Sequence, residues 1–383
     1  MAQARISPFE VKVSAEEIAD LRDRLARTRW TDQLPDAGWD YGTEKGFLRR
    51  LCDYWQKDYD FAGYLERLNA FPQFLAEVDG EQIQFYHARS KVETARPLVL
   101  VHGWPGSVVE FLDLIEPLSN PQDPADAFHI IVASLPGYGY SGPTRHQNVN
   151  VDTAARMVNA VMLSLGYDRY FAQGGDWGSI VTSRLAETFP EHVAALHVNM
   201  APGGPDNPFA PVSGLNEAEA ADWGAFLGFL YADGGYSHLQ STRPQTLAFG
   251  MNDSPAGLAA WLIDKFHSWT DHGGDLESVF GFDHLLDNLT LYWLTQTAGS
   301  SFRLYFESNG RGAYRQSKVG VPTGVARFAG EPFRWPRPLA EQSYRNIVEW
   351  REFPIGGHFA AFQRPDDFLD AVRGFFRGQT LTA

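Results

Sequence analysis

The sequence predicts an α/β protein in which a mostly parallel sheet is flanked by helices on both faces. Four short and almost continuously apolar runs predict strands that are buried on both faces. Helical patterns lie between these runs, and the alternation of the two is typical of a parallel sheet. The predicted strands are 97–101, 129–133, 170–173 and 194–198, with helices at 151–165 and 179–189. Strand-like segments return at 321–326 and 347–351, before a final amphipathic helix.

Two regions depart from this alternation. Residues 1–90 predict a helical segment and a hairpin, because Ser14 and Glu17 form a capping box and Asp79 with Gly80 form a strong two-residue turn signal. Residues 201–309 read as helices and loops rich in aromatic residues and glycine, which favours a helical lid inserted over a site. The α/β core then comprises 91–200 and 310–383.

Composition narrows the class of partner. The 383 residues include 32 Lys and Arg against 47 Asp and Glu, and the net charge of -15 argues against nucleic-acid and anionic-membrane partners. The single cysteine, Cys52, excludes an intramolecular disulfide. No Cys/His cluster has metal-ligand spacing, so we expect neither a metal nor a cofactor. No apolar run approaches the roughly 20 residues of a membrane span, and the N-terminus lacks the apolar region of a secretory signal. A cytoplasmic protein is expected.

The strongest motif is Gly174-Gly175-Asp176-Trp177-Gly178, directly behind the predicted strand 170–173. It has the shape of a nucleophile elbow, with an aspartate at its tip. A carboxylate needs no deprotonation and can attack a saturated, electrophilic carbon, which gives an ester that water later cleaves at its carbonyl. A serine would form an ether instead. Asp176 therefore predicts epoxide opening or halide displacement rather than ester or peptide hydrolysis.

Two further residues complete the chain order nucleophile, acid, histidine of the α/β-hydrolase fold. Glu331 follows the strand-like segment 325–330, and His358 follows the next strand. Both therefore belong to loops at the C-terminal edge of the sheet, where such sheets bind ligands. We predict that His358 takes a proton from the attacking water and that Glu331 orients the imidazole. Glu341 and Glu349 are the nearest rivals for the acid.

The run His102-Gly103-Trp104-Pro105-Gly106-Ser107 ends the first strongly apolar strand, where this fold supplies an oxyanion donor. The candidate donors are the backbone N–H groups of Trp104 and Trp177, and both indoles are candidates for the wall of an apolar substrate pocket. Opening an epoxide also needs an acid for the ring oxygen, which a neutral tyrosine can supply. Composition does not choose among the lid tyrosines Tyr231, Tyr236, Tyr292 and Tyr305.

Over nearly its whole length the chain resembles the microsomal and juvenile-hormone type of epoxide hydrolase, within the α/β-hydrolase superfamily. The resemblance rests on the two motifs at 102–107 and 174–178 and on the stretches 252–260, 291–293, 321–324 and 356–362. It implies that Asp176 is the nucleophile, Glu331 the charge-relay acid and His358 the base. It also implies that Tyr236 and Tyr305 are the ring-opening tyrosines and contact the substrate. The N-terminal membrane anchor of the membrane-bound relatives is not expected here.

The expected reaction is hydrolysis of an epoxide to a vicinal diol through a covalent aspartyl ester, on a bulky or aromatic substrate. The alternative is a haloalkane dehalogenase, in which halide leaves without a proton and two lid tyrosines have no role. A third alternative is a catalytically silent hydrolase fold that binds an apolar ligand. The expected partners are an epoxide and water, with no nucleic acid and a homodimer left open.

Overall fold

The computed structural model describes residues 4–205 and 207–381, and the strands of this part form one nine-stranded sheet. From one edge of the sheet to the other, the strands are β1 (Arg5–Phe9), β2 (Gln73–Val78), β3 (Glu81–Ala88), β5 (Phe128–Ala133), β4 (Arg96–Val101), β6 (Tyr170–Gly174), β7 (Val193–Val198), β8 (Thr323–Gly330) and β9 (Ile347–Gly357). Pairs β1–β2, β2–β3 and β3–β5 are antiparallel, and all later pairs are parallel. Residues 1–3, on which the expectation of no secretory signal partly rests, lie outside the described residues, as do 206 and 382–383.

The N-terminal part begins with a strand, which the sequence analysis missed. Strand β1 (Arg5–Phe9) pairs with β2 (Gln73–Val78), so this part is joined to the main sheet. Proline is uncommon within strands, so Pro8 argues against a strand in the sequence. The proline is tolerated here because β1 is the edge strand of the sheet. The remaining elements are α1 (Ala15–Ala26), α2 (Lys45–Lys57), α3 (Phe61–Leu68) and β3 (Glu81–Ala88).

Two local predictions for this part are confirmed. The Ser14 side chain accepts a hydrogen bond from the Glu17 N–H at 3.1 Å, and the Glu17 carboxylate accepts one from the Ser14 N–H at 2.8 Å. This capping box begins α1. Asp79 and Gly80 have φ angles of 52° and 84°, the positive values that a tight type I′ turn requires between β2 and β3.

The core alternates strands and helices as predicted. The buried residues of its central strands are almost all apolar, because helices cover both faces of the sheet. Strand β9 continues six residues beyond the predicted 347–351 and ends directly before His358. The elements are β4 (Arg96–Val101), α4 (Leu112–Ser119), β5 (Phe128–Ala133), α5 (Val151–Ser164), β6 (Tyr170–Gly174), α6 (Asp176–Thr188) and β7 (Val193–Val198).

A helical lid lies between β7 and the last two strands. Its helices are α7 (Glu217–Asp233), α8 (Gly235–Thr242), α9 (Pro244–Asp253), α10 (Pro255–Ser268), α11 (Leu276–Thr295) and α12 (Ala298–Tyr305). The chain returns to the sheet through β8 (Thr323–Gly330), α13 (Arg337–Ala340), β9 (Ile347–Gly357), α14 (Ala360–Gln363) and α15 (Pro365–Arg377). Among the described helices, none has the length and apolar character of a membrane span.

The N-terminal helices hold the lid through α11. Arg67 on α3 makes a two-pronged ion pair with the buried Asp287 on α11, with N–O distances of 2.7 and 2.6 Å. The indole N–H of Trp55 on α2 donates to the Thr290 hydroxyl at 2.9 Å. A paired and hydrogen-bonded buried carboxylate fixes one geometry, because breaking the pair would leave a buried charge without a partner. The N-terminal segment therefore sets where α11 lies over the core.

Candidate active site

The Gly174–Gly178 motif forms a tight turn between β6 and α6. Asp176 has a φ of 49°, in the left-handed region that a non-glycine residue rarely adopts. A Cβ atom on Gly174 would lie 2.2 Å from the Gly178 carbonyl oxygen, and one on Gly178 would lie 1.9 Å from that of Val101. Glycine is therefore required at both positions. The turn presents the carboxylate of Asp176 above the C-terminal edge of the sheet.

His358 connects Asp176 to Glu331. The His358 Nδ1 atom lies 2.9 and 3.1 Å from the two carboxylate oxygens of Glu331, and Nε2 lies 3.5 Å from Asp176 Oδ2. The side chains of His358 and Glu331 are each 3% exposed, so water does not screen their interaction. The rival Glu341 lies on the surface paired with Arg337, and Glu349 lies within β9.

The charges around His358 control its proton. Burial by itself lowers the pKa of the imidazole, but Glu331 and Asp176 outweigh burial and raise that pKa to about 10. The imidazole is therefore charged while both carboxylates are ionised. Esterification of Asp176 would remove one of these negative charges, and the pKa of His358 would fall toward the range of a general base.

The loop after β4 carries a predicted oxyanion donor to Asp176. The backbone N–H of Trp104 donates to Asp176 Oδ1 at 2.8 Å. The second candidate donor, the backbone N–H of Trp177, lies in the first turn of α6. His102 clamps this loop, since its Nε2 accepts from the Leu135 N–H at 3.0 Å and its Nδ1–H donates to the Gly103 carbonyl at 2.9 Å. Burial lowers the pKa of His102 to about 4, so its ring stays neutral.

The structure separates the four lid tyrosines. Tyr231 is 91% exposed, and the Tyr292 hydroxyl donates to the Gly106 carbonyl at 2.8 Å. Tyr236 and Tyr305 are buried beside the nucleophile, with ring centroids 6.1 Å apart. Burial raises the pKa of both phenols, and the nearby Asp176 raises it further, so both stay neutral donors. The Tyr305 hydroxyl has no hydrogen-bond partner among the described residues, which leaves its proton free for a ligand.

A cavity of about 310 Å³, here called the lid-side cavity, opens above Asp176. Asp176, Trp177, Tyr236 and Tyr305 line the end near the sheet. The Trp104 indole is stacked behind Tyr236 at 5.2 Å and is not among the lining residues, so of the two predicted indoles only Trp177 faces this cavity. The other lining residues are mostly apolar, with an aromatic group of Trp223, Phe226, Phe333 and Trp335 and the polar Ser237, Asn309, Tyr314 and Gln316.

A second and much smaller cavity, of about 20 Å³, lies on the other side of Asp176 and is called the rear cavity. Its polar lining residues are His102, Glu110, Gln173, Asp176, Asn199 and His358. Asp176 therefore faces two cavities with different linings, one mostly apolar and one with a larger share of polar groups. Glu110 was not singled out from the sequence, because no motif marks it.

Trp269 is the other site residue that the sequence analysis missed. Its ring lies 4.9 Å from that of His358 and 5.1 Å from that of Tyr236, and its carbonyl accepts a hydrogen bond from the His358 N–H at 2.9 Å. It follows α10 in a loop and has no motif around it. The structure thus brings all seven predicted site residues together, and their individual roles stay predictions.

Comparison with known families agrees with this architecture. Residues 6–111 match the family described as epoxide hydrolase N terminus, and residues 96–250 match the alpha/beta hydrolase fold. The chain is 35% identical to epoxide hydrolase 1 of Sus scrofa, over 97% of this chain and 88% of that protein. It is 34% identical to the juvenile hormone epoxide hydrolase of Bombyx mori, over 96% and 85%.

Solved structures of epoxide hydrolases share the fold of this chain. The crystal structure of the Bombyx mori juvenile hormone epoxide hydrolase superposes with a TM-score of 0.90 at 32% identity, covering 98% of this chain and 95% of that one. The Aspergillus niger epoxide hydrolase superposes with a TM-score of 0.85 at 30% identity, covering 98% and 96%. The predicted α/β-hydrolase fold is confirmed, and the chain belongs to the epoxide hydrolase family.

Proposed function

We propose that this epoxide hydrolase works through a covalent ester on Asp176 and releases a vicinal diol. The observation that carries the proposal is the position of the Asp176 carboxylate between two different sets of groups. Tyr236 and Tyr305 lie on its lid side, and His358, hydrogen-bonded to Glu331, lies on the other. Each set suits one half of a two-step reaction.

In the first step, Asp176 Oδ2 attacks one carbon of the epoxide ring. The bond from that carbon to the ring oxygen breaks, and the oxygen takes a proton from one of the two phenols as its negative charge develops. Neutral, buried tyrosines are suited to this role, because a phenol in an apolar site is a strong hydrogen-bond donor. Asp176 Oδ1 stays against the Trp104 N–H and becomes the carbonyl oxygen of the ester.

In the second step, water attacks the Cγ atom of Asp176. His358 Nε2 accepts a proton from the water as the new carbon–oxygen bond forms, and the Trp104 and Trp177 N–H groups stabilise the oxyanion on Oδ1. Glu331 stabilises the resulting imidazolium. The intermediate then expels the diol oxygen, which takes the proton from the His358 imidazolium. The remaining proton of the water leaves the new acid group and returns to the tyrosinate, which restores both the carboxylate and the phenol.

The haloalkane dehalogenase alternative is not favoured. The relatives that match this chain over nearly its full length are epoxide hydrolases. A halide also leaves without a proton, so it would not use the free hydroxyl of Tyr305.

We propose a bulky or aromatic epoxide as the substrate. The lid-side cavity, with its volume of about 310 Å³, supports a ligand of more than a few carbon atoms. Aromatic side chains beyond Tyr236 and Tyr305 offer flat apolar contacts, and the polar groups at Asn309 and Gln316 offer hydrogen bonds to a substituent.

The proposal is tested by product analysis on a panel of epoxides, with styrene oxide, bulkier aryl epoxides and small aliphatic epoxides, and with 1-haloalkanes as controls. We expect diol from the bulky epoxides, slower turnover of the small ones and no diol from Asp176→Asn. Release of halide without diol would overturn the assignment. A preference for the small epoxides would overturn the substrate class alone.

Three further points from the sequence concern the protein outside its active site. A cytoplasmic location stays a prediction and a homodimer stays open, and fractionation of cells and light scattering of the purified chain test them. The absence of nucleic-acid binding is a third, which the net charge of -15 supports.

A further inference from the structure

The rear cavity contains an ionisable group that the two-step scheme does not use. Glu110 lies on the short 3-10 helix Val108–Phe111, which follows the loop that carries Trp104. Together with Asp176 and His358, it lines a space of about 20 Å³. One ordered water needs roughly 10–15 Å³ of such space and two to four polar partners. The cavity therefore has room for about one water molecule beside the nucleophile and the base.

The position of the Glu110 carboxyl is built into the loop. A Cβ atom on Gly106 would lie 1.6 Å from Glu110 Oε1, so glycine at 106 lets the carboxyl lie against the backbone of the loop. The lid fixes the same stretch of backbone from above. The Asn288 amide donates to the Pro105 carbonyl at 2.8 Å, and the Tyr292 hydroxyl donates to the Gly106 carbonyl at 2.8 Å. These two bonds fix the backbone next to Glu110, whose side chain lines the rear cavity.

A second polar group in the wall lacks a partner. The Gln173 side-chain amide donates to Asn199 Oδ1 at 2.8 Å, but its own oxygen has no hydrogen-bond partner among the described residues. Gln173 is fully buried, and a buried amide oxygen without a partner is costly unless water satisfies it. Both Gln173 and Glu110 line the rear cavity, so its wall carries two acceptors for a water, which can donate to two acceptors at a time.

We propose that Glu110 is a positioning residue for the hydrolytic water in the second half-reaction. The inference rests on the proposed ester mechanism. The water gives one proton to His358 Nε2 while its oxygen bonds to Asp176 Cγ. Its second O–H donates to the Glu110 carboxyl, which fixes the remaining lone pair toward Cγ. Glu110 neither gains nor loses a proton in this step, and no other reactant is needed.

The charge state of Glu110 agrees with this role. Burial, together with the negative charge of Asp176, raises the pKa of Glu110 to about 8, although His358 opposes the shift. In the free enzyme the carboxyl therefore keeps its proton to a higher pH than an ordinary glutamate does. A neutral group can hold the water without adding a further negative charge that would keep the proton on His358.

The test separates the two half-reactions in single-turnover experiments on the whole enzyme. Ester formation and decay are followed by intact-mass analysis of samples quenched at successive times, with styrene oxide as the probe. Glu110→Leu keeps the volume but removes both hydrogen-bonding atoms. We expect ester formation within about twofold of the wild-type rate and ester decay slowed at least about tenfold, so that ester accumulates.

Glu110→Gln is the matched control, because an amide keeps an acceptor and a donor as a protonated carboxyl does. Its ester decay should stay within about threefold of wild type. Glu110→Asp, which withdraws the group by one methylene, gives a second test if the leucine variant melts early, and it should also slow decay selectively. Unchanged ester decay in the leucine and aspartate variants would overturn the proposal. So would equal slowing of formation and decay, which marks a merely structural role. Absence of any ester in His358→Gln would instead overturn the mechanism on which the proposal rests.

Discussion

The two sides of the Asp176 carboxylate differ in almost every physical respect. The lid-side cavity is about 310 Å³ and mostly apolar, whereas the rear cavity is about 20 Å³ and combines titratable and amide groups with apolar residues and glycine. On the lid side the Tyr305 hydroxyl lacks a protein partner, and on the other side His358 and Glu331 are hydrogen-bonded to each other. This difference supports the proposal that one carboxylate serves two reactions, each in the surroundings that it needs.

Ring opening benefits from apolar walls, because they bind the substrate and strengthen the hydrogen bond to the developing alkoxide. Ester hydrolysis needs an ordered water, a base and a counter-charge. A single mixed cavity would expose the ester to uncontrolled water and the base to the substrate. Substitutions on the lid side should therefore affect ester formation, and substitutions on the side of His358 should affect ester hydrolysis.

The largest effect is expected at the residue that both sides share. In Asp176→Asn, neither half-reaction can start, because the amide is a poor nucleophile toward an epoxide carbon. We expect diol formation to fall by more than about 10³-fold, with no covalent adduct in the mass spectrum. Asp366→Asn, on the first turn of α15, is the matched control and should retain wild-type turnover. An adduct of normal yield in Asp176→Asn would move the nucleophile elsewhere.

Tyrosine substitutions should affect the lid side alone. Tyr305→Phe and Tyr236→Phe are each expected to slow ester formation about ten- to hundredfold while ester decay keeps its rate. Because the Tyr305 hydroxyl has no partner, removing it should not lower the melting temperature. Tyr231→Phe, at an exposed position, is the control. Single-turnover mass analysis measures both steps, and slowed ester decay in these variants would break the separation.

The third effect is on stability and not on turnover: the free energy of unfolding should depend on pH through His358. The folded protein binds the His358 proton more tightly than an unfolded chain does, since its pKa is raised from 6.5 to about 10. Protonation therefore stabilises the fold fully below about pH 6.5, and this stabilisation is lost as the pH rises toward about 10. The pKa of Glu110 is raised from 4.5 to about 8, so its protonated form also stabilises the fold, and this contribution is lost as the pH rises toward about 8.

Urea unfolding at about pH 6.5 and about pH 9.5 should show the free energy of unfolding falling by a few kcal/mol, at about 1.4 kcal/mol per pKa unit. In Glu331→Gln the difference between the two pH values should be smaller, because the charge that holds the proton is gone. An equal difference in both proteins would show that the His358–Glu331 pair is not its source.

The sequence predicts Asp176, Glu331 and His358 better than it predicts the tyrosines of the lid-side cavity. Asp176, Glu331 and His358 follow the ends of strands in a fixed chain order, so local patterns locate them. Tyr236 and Tyr305 could not be separated from Tyr231 and Tyr292 by composition, and only family resemblance selected them. Their burial depends on how the lid helices pack, which is a matter of tertiary structure and not of local sequence.

Other features were invisible for the same reason. Strand β1 contains Pro8 and is stabilised by pairing with a strand more than sixty residues away. Glu110 and Trp269 carry no motif, and they reach the site through the folding of the loop after β4 and the end of α10. The sequence predicts the Trp104 indole as a wall of the substrate pocket. In the structure Tyr236 is stacked on that indole, and Tyr236, not Trp104, lines the lid-side cavity.

The most direct test of the two-sided account is the covalent ester in His358→Gln. This variant keeps the lid side intact and removes the base, so it should react with styrene oxide once and then stop. Intact-mass analysis is predicted to show one stable adduct per chain, with the mass of the epoxide and mapped to the peptide that contains Asp176. No adduct, or an adduct that decays as fast as in the wild-type enzyme, would contradict the account.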